Sequence, residues 1–484
     1  MSERESARTS ERGERREPVL GADRPVHMMG IGGAGMSALA EILLAEGREV
    51  SGCDLKAGPV LDRLEALGAT VHVGHDPEHL DAAAVVVVSS AIQATDPELA
   101  AARERDQPVL LRAELLGGLM DRARGIGVAG THGKSTTTTM VGSILTAAGL
   151  DPTVVVGGRI RGQRGNVRLG SGEWLVAEAD EFDRSFLALA PEHAIVTNVE
   201  ADHLDTYVDF DGVRAAFAEF LERVEEGGTI AVCVDDPEAR RLPEPAGREI
   251  VGYGLDPRAE VRAESIEARG IETRFELILG EEDAGTVTLR MPGRHNVANA
   301  LGAAAVARAI GVEPAAIRAG LENVRGVERR FEIVHEDEEI TIVDDYAHHP
   351  TEVAATLASA RESWPERRIV AVFQPHLYSR TRDFSDAFGA ALTGADVVFV
   401  TDVYPAREDP IEGVTGELVS EAAGAAGAAD ATFLPDEADV GPIVARLAPG
   451  DVVITLGAGD VDAVARRLAD ARATSPAGSA EEDR

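Results

Sequence analysis

Directly after the small apolar run GIGVAG (125–130), the chain reads THGKSTTTT. Only two lysines occur in it, Lys56 and Lys134, and the second stands in this stretch. Glycines such as Gly130 and Gly133 let backbone N–H groups approach an anion closely, and a helix opening at Ser135 would add its positive end. An ammonium is a compact point charge that the planar fork of arginine imitates poorly. Gly130, Thr131, His132, Gly133, Lys134, Ser135 and Thr136 therefore form a candidate phosphate loop, with the Ser135 hydroxyl free to meet a divalent cation. The strict GxxxxGK[ST] spacing is not met, because Val128 occupies the first glycine position. A glycine-rich turn that merely joins a strand to a helix is the plain alternative.

Two further groups suit a cation. Glu178 ends the apolar run EWLVAEA, and His203 follows HAIVTNV in NVEADHLD. A carboxylate with a loop hydroxyl matches Mg²⁺, which prefers oxygen; a histidine points to a second ion or a contact through water. Near the start, Gly30, Gly32 and Gly35 fit GxGxxG after PVHMMGI, with Asp54 closing the next apolar run. Alone that would suggest a dinucleotide site and a dehydrogenase. Such a reading leaves the lysine loop and everything after it unexplained.

These groups need positioning, and the rest of the sequence supplies the means. Short runs rich in valine and isoleucine alternate with stretches rich in alanine and leucine, the pattern of α/β layers with parallel sheets. Strands are predicted at 25–31, 49–53, 84–90, 125–130, 173–179, 193–199, 339–345, 368–374, 396–402 and 451–457. Residues 259–291 read instead as short antiparallel strands. Polar clusters directly follow the runs: SSAI, GTHGKS, EADEFD, NVEADH, DDYAHHP, QPHLYSR and DVYPAR. Ligands of open parallel sheets bind beyond the carboxyl ends of strands, so this is the layout of a large site. The expected domains are 23–120, 121–327 and 328–473, with disordered tails at 1–22 and 474–484.

Composition narrows the function. A net charge of −37 over 484 residues, with no basic run, excludes nucleic acid as a partner. Acidity with arginine in place of lysine fits a salty cytoplasm or a GC-rich genome. Cys53 and Cys233 lie in apolar runs and read as buried free thiols, consistent with a reducing, cytoplasmic setting. No signal peptide and no run long enough to insert in a membrane is expected.

With these motifs in view, the chain resembles the Mur ligases, the ATP-dependent amide-forming enzymes of peptidoglycan precursor synthesis. The likeness covers residues 25–470 and rests on HMMGIGGAGMSALA, SSAI, GTHGKSTTT, EADEFDRSF, NVEADHLD, PGRHNVANA, RRFE, DDYAHHP and QPHLYSRT. It implies a three-domain α/β protein: a Rossmann-like N-terminal domain for a UDP-sugar, a central P-loop ATPase domain, and a C-terminal Rossmann-like domain for an amino acid. The glycine loop (Gly30, Gly32, Gly33, Gly35, Met36, Ser37), with Asp54, Ser89 and Ser90, is then assigned to the nucleotide sugar. ATP falls to residues 130–136, His295, Asn296, Arg330 and Asp345, and the metal to Ser135, Glu178 and His203. Tyr346, His348, His376 and Arg380 face the amino acid, His376 and Arg380 gripping its carboxylate. Lys134, Glu178, His203 and Arg380 carry catalysis.

The resemblance implies that L-alanine is joined to the lactyl carboxylate of UDP-N-acetylmuramate through an acyl phosphate, with ATP and Mg²⁺. A cytoplasmic monomer or weak homodimer serving cell-wall growth and division is expected. Sister enzymes that bridge metals with a carbamylated lysine are disfavoured, since neither lysine is available for it. Alternatives are a murein peptide ligase of the same architecture, folylpolyglutamate synthetase, which lacks the N-terminal glycine loop, and a nucleotide-sugar-binding protein without turnover.

Overall fold

The computed structural model describes residues 24–202, 204–406 and 408–474. The expected tails fall outside these, apart from Thr474, which closes the last helix. Two compact units divide the chain: residues 1–265, 275–287 and 297–327 form one, and 266–274, 288–296 and 328–484 the other.

Three sheets carry the architecture, and the apolar runs become their strands. The first contains β1 (Val26–Met29), β2 (Val50–Asp54), β3 (Thr70–Val73), β4 (Val85–Val88) and β5 (Val109–Leu111), ordered β3-β2-β1-β4-β5. Every pairing in it is parallel. The order reverses at β1, and the helix that follows, α1 (Ala34–Ala45), starts at that switch point.

The second sheet has ten strands. They are β6 (Arg124–Ala129), β7 (Thr153–Val155), β8 (Val167–Arg168), β9 (Trp174–Glu178) and β10 (His193–Val196), then β11 (Thr229–Cys233), β12 (Glu249–Gly254), β13 (Val261–Arg269), β14 (Glu272–Leu279) and β15 (Glu282–Leu289). Their order is β15-β14-β13-β12-β11-β10-β6-β9-β7-β8. β6 sits parallel between β10 and β9, so the loops after these three strands open at one sheet edge.

The third sheet is β16-β17-β21-β18-β19-β20, from β16 (Glu332–Glu336), β17 (Ile340–Asp345), β18 (Ile369–Phe373), β19 (Val397–Thr401), β20 (Ala431–Leu434) and β21 (Asp451–Leu456). Its central strands are buried and mostly apolar because both faces are covered, their polar residues falling mainly at the ends. Val343, Ala371, Phe373 and Ile454 pack on one side, Ile342, Val372, Phe399 and Val453 on the other. Each such side chain contributes roughly 1.5–3 kcal/mol on burial, and this packing holds the strand ends where the polar loops emerge. Strands β3, β5, β7, β8, β11, β12, β16 and β20 lie outside the predicted ones. Most are short or half-exposed without a strong apolar run, but β11 is buried along its whole length and was missed all the same.

Candidate active site

The loop after β6 is tightly packed. Gly130 has φ +138° and Gly133 φ +83°, both in the region that favours glycine. A Cβ on Gly130 would overlap the Thr197 hydroxyl, and one on Gly133 would meet the Asn299 amide 2.6 Å away. The loop is held from the neighbouring strand: His132 N–H donates to Asn198 Oδ1 at 2.8 Å, and the Thr197 hydroxyl donates to the His132 carbonyl at 2.6 Å. Helix α2 (Lys134–Ala147) begins directly after Gly133, so its first N–H groups face the loop. Thr136–Thr139 are buried, the interior side of that helix.

Lys134 lies with 13% of its side chain exposed, bridging the loop and the end of β9. Its ammonium donates to the Gly130 carbonyl at 2.7 Å and to Glu181 Oε2 at 2.6 Å, with Asp180 Oδ1 at 3.7 Å. Burial works against that charge, but Glu181 and Asp180 outweigh it and raise the lysine above its ordinary range. Glu181, itself 2% exposed, is pushed up to about 7 by burial despite the lysine. Glu178 is likewise raised by burial, while the Gly157 N–H (2.5 Å) and the Ser135 hydroxyl hydrogen-bond to it. Three carboxylates thus face one ammonium and one hydroxyl. His203, the other expected metal ligand, lies outside the described residues.

In the first sheet, Gly30 (φ +79°) turns the chain off β1, and its N–H donates to the Cys53 carbonyl at 2.8 Å. Asp54 accepts the Gly32 N–H at 3.0 Å, so this carboxylate shapes the loop itself. Ser89 lies beside Gly30, whereas Ser90 is exposed. Gly33 caps α1, leaving the amides of Gly35 and Met36 in its first turn. The side chains of Met36 and Ser37 are buried at 1% exposure, so only their backbone faces the loop.

The second unit gathers the remaining candidates around β17. Asp345 ends that strand, 6% exposed, and accepts the N–H groups of Phe331 (2.7 Å) and Ala347 (2.9 Å). Burial pushes it up to about 6. Its carboxylate organises the strand-to-helix turn. Arg330 reaches Glu352 at 3.3 Å and stands over the Tyr346 ring at 5.3 Å. His348 Nδ1 faces two acceptors, the Tyr346 carbonyl at 3.0 Å and Glu352 at 3.2 Å. The ring proton therefore sits on Nδ1. Desolvation lowers part-buried His348 to about 3, so it is neutral at pH 7; His295, more exposed, is lowered too, by desolvation and the nearby Arg330 guanidinium. His376 stacks on Tyr404 and meets His348 edge-on, with centroids 5.7 and 5.8 Å apart. Arg380 is buried in the first turn of α3 (Tyr378–Leu392). His295 and Asn296 open a helix as expected, but the Asn296 amide donates to the Pro292 carbonyl at 2.8 Å.

Three family descriptions match this chain in tandem: "Mur ligase family, catalytic domain" over residues 25–124, "Mur ligase middle domain" over 128–307, and "Mur ligase, glutamate ligase domain" over 329–459. The chain belongs to the Mur ligase family. The first and third stretches hold the strands of the first and third sheets, and the middle one those of the second apart from the start of β6, the architecture expected of a three-domain Mur ligase. Among relatives, the UDP-N-acetylmuramate–L-alanine ligase of Salinibacter ruber is 46% identical over 92% of this chain and 94% of its own. That of Burkholderia cenocepacia is 47% identical over 92% and 97%. The solved UDP-N-acetylmuramate–alanine ligase of Thermotoga maritima superposes with a TM-score of 0.78 at 29% identity, covering 93% of this chain and all of that one. A murein peptide ligase of Psychrobacter arcticus gives 0.66 at 26%, covering 93% and 99%.

In this Mur ligase, sequence reading missed the groups that hold the loop: Glu181, Thr197, Asn198 and Asn299. The signal for Glu181 was present in EADEFD, where three acids follow one strand. Arg329 was missed as well; it donates to Asp344 at 2.8 Å and to the carbonyls of Gly457 and Gly459 at 2.7 and 2.8 Å.

Proposed function

We propose that this Mur ligase joins L-alanine to the lactyl carboxylate of UDP-N-acetylmuramate, with ATP giving ADP and phosphate. The observation that carries the reading is 46–47% identity, over nine-tenths of the chain, to relatives bearing that activity in their names. The lysine loop beneath a helix N-terminus gives it a chemical basis.

In the first step the lactyl carboxylate attacks the γ-phosphorus and ADP leaves, forming an acyl phosphate. Carboxylate and triphosphate repel each other, so neutralisation of charge is the main requirement. Lys134 supplies one positive charge by exchanging Glu181 for a phosphate oxygen. The loop amides and the first turn of α2 supply further donors. A cation fits beside them: Glu178 is a part-buried carboxylate whose ionised form desolvation penalises, and the Ser135 hydroxyl adjoins it, an all-oxygen set suited to Mg²⁺. Bound there, Mg²⁺ would offset the phosphate charge.

In the second step the alanine amine attacks the acyl carbon, and phosphate leaves carrying the proton that the amine gives up. Arg380 grips the amino-acid carboxylate. His348 turns the lone pair of Nε2 outward as a neutral acceptor for the amine; held near 3, it is too weak a base to take the proton. The glycine loop after β1 binds the diphosphate of the nucleotide sugar, and Arg330 and Asn296 serve ATP. A nucleotide-dependent reaction and two free thiols agree with a cytoplasmic setting; among the described residues no helix is long and apolar enough to cross a membrane.

The test is phosphate release with UDP-N-acetylmuramate, ATP and, separately, L-alanine, glycine, L-serine or the L-alanyl-γ-D-glutamyl-meso-diaminopimelate tripeptide. Preference for L-alanine is expected, and preference for the tripeptide would overturn the reading. Hydroxylamine added without alanine should trap the activated acid; none trapped at saturation would remove the acyl phosphate.

A further inference from the structure

The first sheet has a second face, turned away from α1, and it is unusually rich in metal-binding side chains. Residues alternate along a strand. Val26, Met28 and Val50 therefore pack on the α1 side, while His27, Met29, Ser51 and Cys53 point the other way. Covering that face are the 3₁₀ turn Pro77–Leu80, which carries His79, and the helix Pro97–Glu104, which carries Glu98 in its first turn. His27, Cys53 and Glu98 are all 0% exposed.

One potential ligand atom from each of His27, Cys53, His79 and Glu98 lies within 4.8 Å of all the others. His27 Nε2 is 2.9 Å from Glu98 Oε1, His79 Nδ1 is 3.3 Å from the same oxygen, and Cys53 Sγ is 3.1 Å from Oε2. Close as they are, His27 Nε2, His79 Nδ1 and Glu98 Oε1 are buried and make no hydrogen bond. The separations are within hydrogen-bonding reach, so it is the angles between these atoms that fail. In a zinc tetrahedron, with Zn–N about 2.0–2.1 Å and Zn–S about 2.3 Å, ligand atoms stand about 3.3–3.8 Å apart.

The surroundings hold each ligand in place. Ser51 Oγ lies 2.9 Å from His27 Nδ1 and leaves Nε2 for the centre. The His72 ring stacks on His79 with centroids 4.0 Å apart. Asp96 caps the Glu98 helix and meets His75 Nδ1 at 2.5 Å.

We propose that His27, Cys53, His79 and Glu98 form a structural zinc site, fastening β1, β2, the 3₁₀ turn and the helix at 97–104 into one layer behind the nucleotide-sugar loop. Nitrogen and sulfur donors favour Zn²⁺ over the oxygen-seeking Mg²⁺, and four protein ligands leave no position open for catalysis.

The test is titration of the full chain, stripped with chelator, by Co²⁺ alone and then Zn²⁺ alone. One Co²⁺ per chain should bind with a thiolate-to-metal charge-transfer band and the intense visible bands of a tetrahedral ion. Zn²⁺ should bleach both and raise the melting temperature. Cys53→Ser should lose the charge-transfer band while Cys233→Ser keeps it, and His79→Gln, folded by circular dichroism, should weaken binding more than tenfold. Failure to take up one tetrahedral ion per chain, a spectrum octahedral throughout, or a thiolate band surviving in Cys53→Ser would each overturn the proposal.

Discussion

Replacing Lys134 by arginine keeps the charge and changes the shape, which makes it the sharpest test of the phosphate loop. The ammonium sits 2.7 Å from one loop carbonyl and 2.6 Å from Glu181, with 13% of the side chain exposed. A guanidinium is planar and reaches further, so it cannot occupy this pocket as a point charge. Two consequences follow. Overpacking costs about 1–3 kcal/mol of stability. More important, arginine can close a two-pronged pair on Glu181, the strong geometry for a carboxylate, and the charge is then held away from the phosphate. Loss of one preorganised donor at developing charge costs about 2.7–4 kcal/mol, or 10²–10³ in rate. Lys134→Arg should therefore retain the far-ultraviolet spectrum and a cooperative melt, while kcat for phosphate release falls about a hundredfold or more at saturating substrates. Lys134→Met should be no better, because it also leaves Glu181 without its partner. A kcat within threefold of wild type in the folded arginine variant would refute the role assigned to this residue.

Two other perturbations probe the same loop. Gly130→Ala forces a side chain into φ +138° against the Thr197 hydroxyl; strain of about 1–3 kcal/mol and a lost hydrogen bond of about 0.5–1.5 kcal/mol should lower the urea midpoint and weaken ATP binding together, and a wild-type midpoint would show that the loop tolerates a Cβ. Glu181 titrates at about 7 when folded and near 4.5 when unfolded, so the folded state binds its proton more tightly and stability declines as pH rises from 4.5 to 7, by about 3 kcal/mol at 1.36 kcal/mol per unit; Glu181→Gln should flatten that segment of the stability profile, and an unchanged slope would count against a buried Glu181.

The parts legible in the sequence were those written by short-range chemistry. A buried parallel strand is apolar along most of its length, so β1, β4, β10, β17, β18, β19 and β21 announced themselves, and the glycines at 130 and 133 marked turns that need φ > 0. Edge strands such as β3 and β16 escaped because a half-exposed strand carries no such run. The partners of the loop escaped for another reason. Asn299 meets Gly133 across 166 residues of chain, and no local pattern records which side chains a fold brings together. Asp345 and Asp54 show the reverse limit. Both stand where a ligand group is expected, yet each carboxylate accepts backbone N–H groups, some from distant segments of the chain, a use that residue type and position alone do not reveal.

The acidic character of the chain bears on why one lysine suffices. Glu178, Asp180 and Glu181 surround Lys134, so with all three ionised the centre would be negative before any nucleotide arrived. Such a centre repels a free triphosphate, and the protein relieves it in two ways. Burial keeps Glu181 partly protonated near neutrality, and it penalises the ionised form of Glu178 until a cation adjoins it. On the proposed mechanism the cation and the nucleotide therefore bind cooperatively: each removes the charge that opposes the other. An arginine at 134, fixed on its carboxylates, would neutralise the centre permanently and abolish that coupling, whereas an ammonium can exchange one oxygen partner for another without losing its geometry. The retention of lysine at this position, in a chain that otherwise uses arginine almost throughout, follows from that exchange.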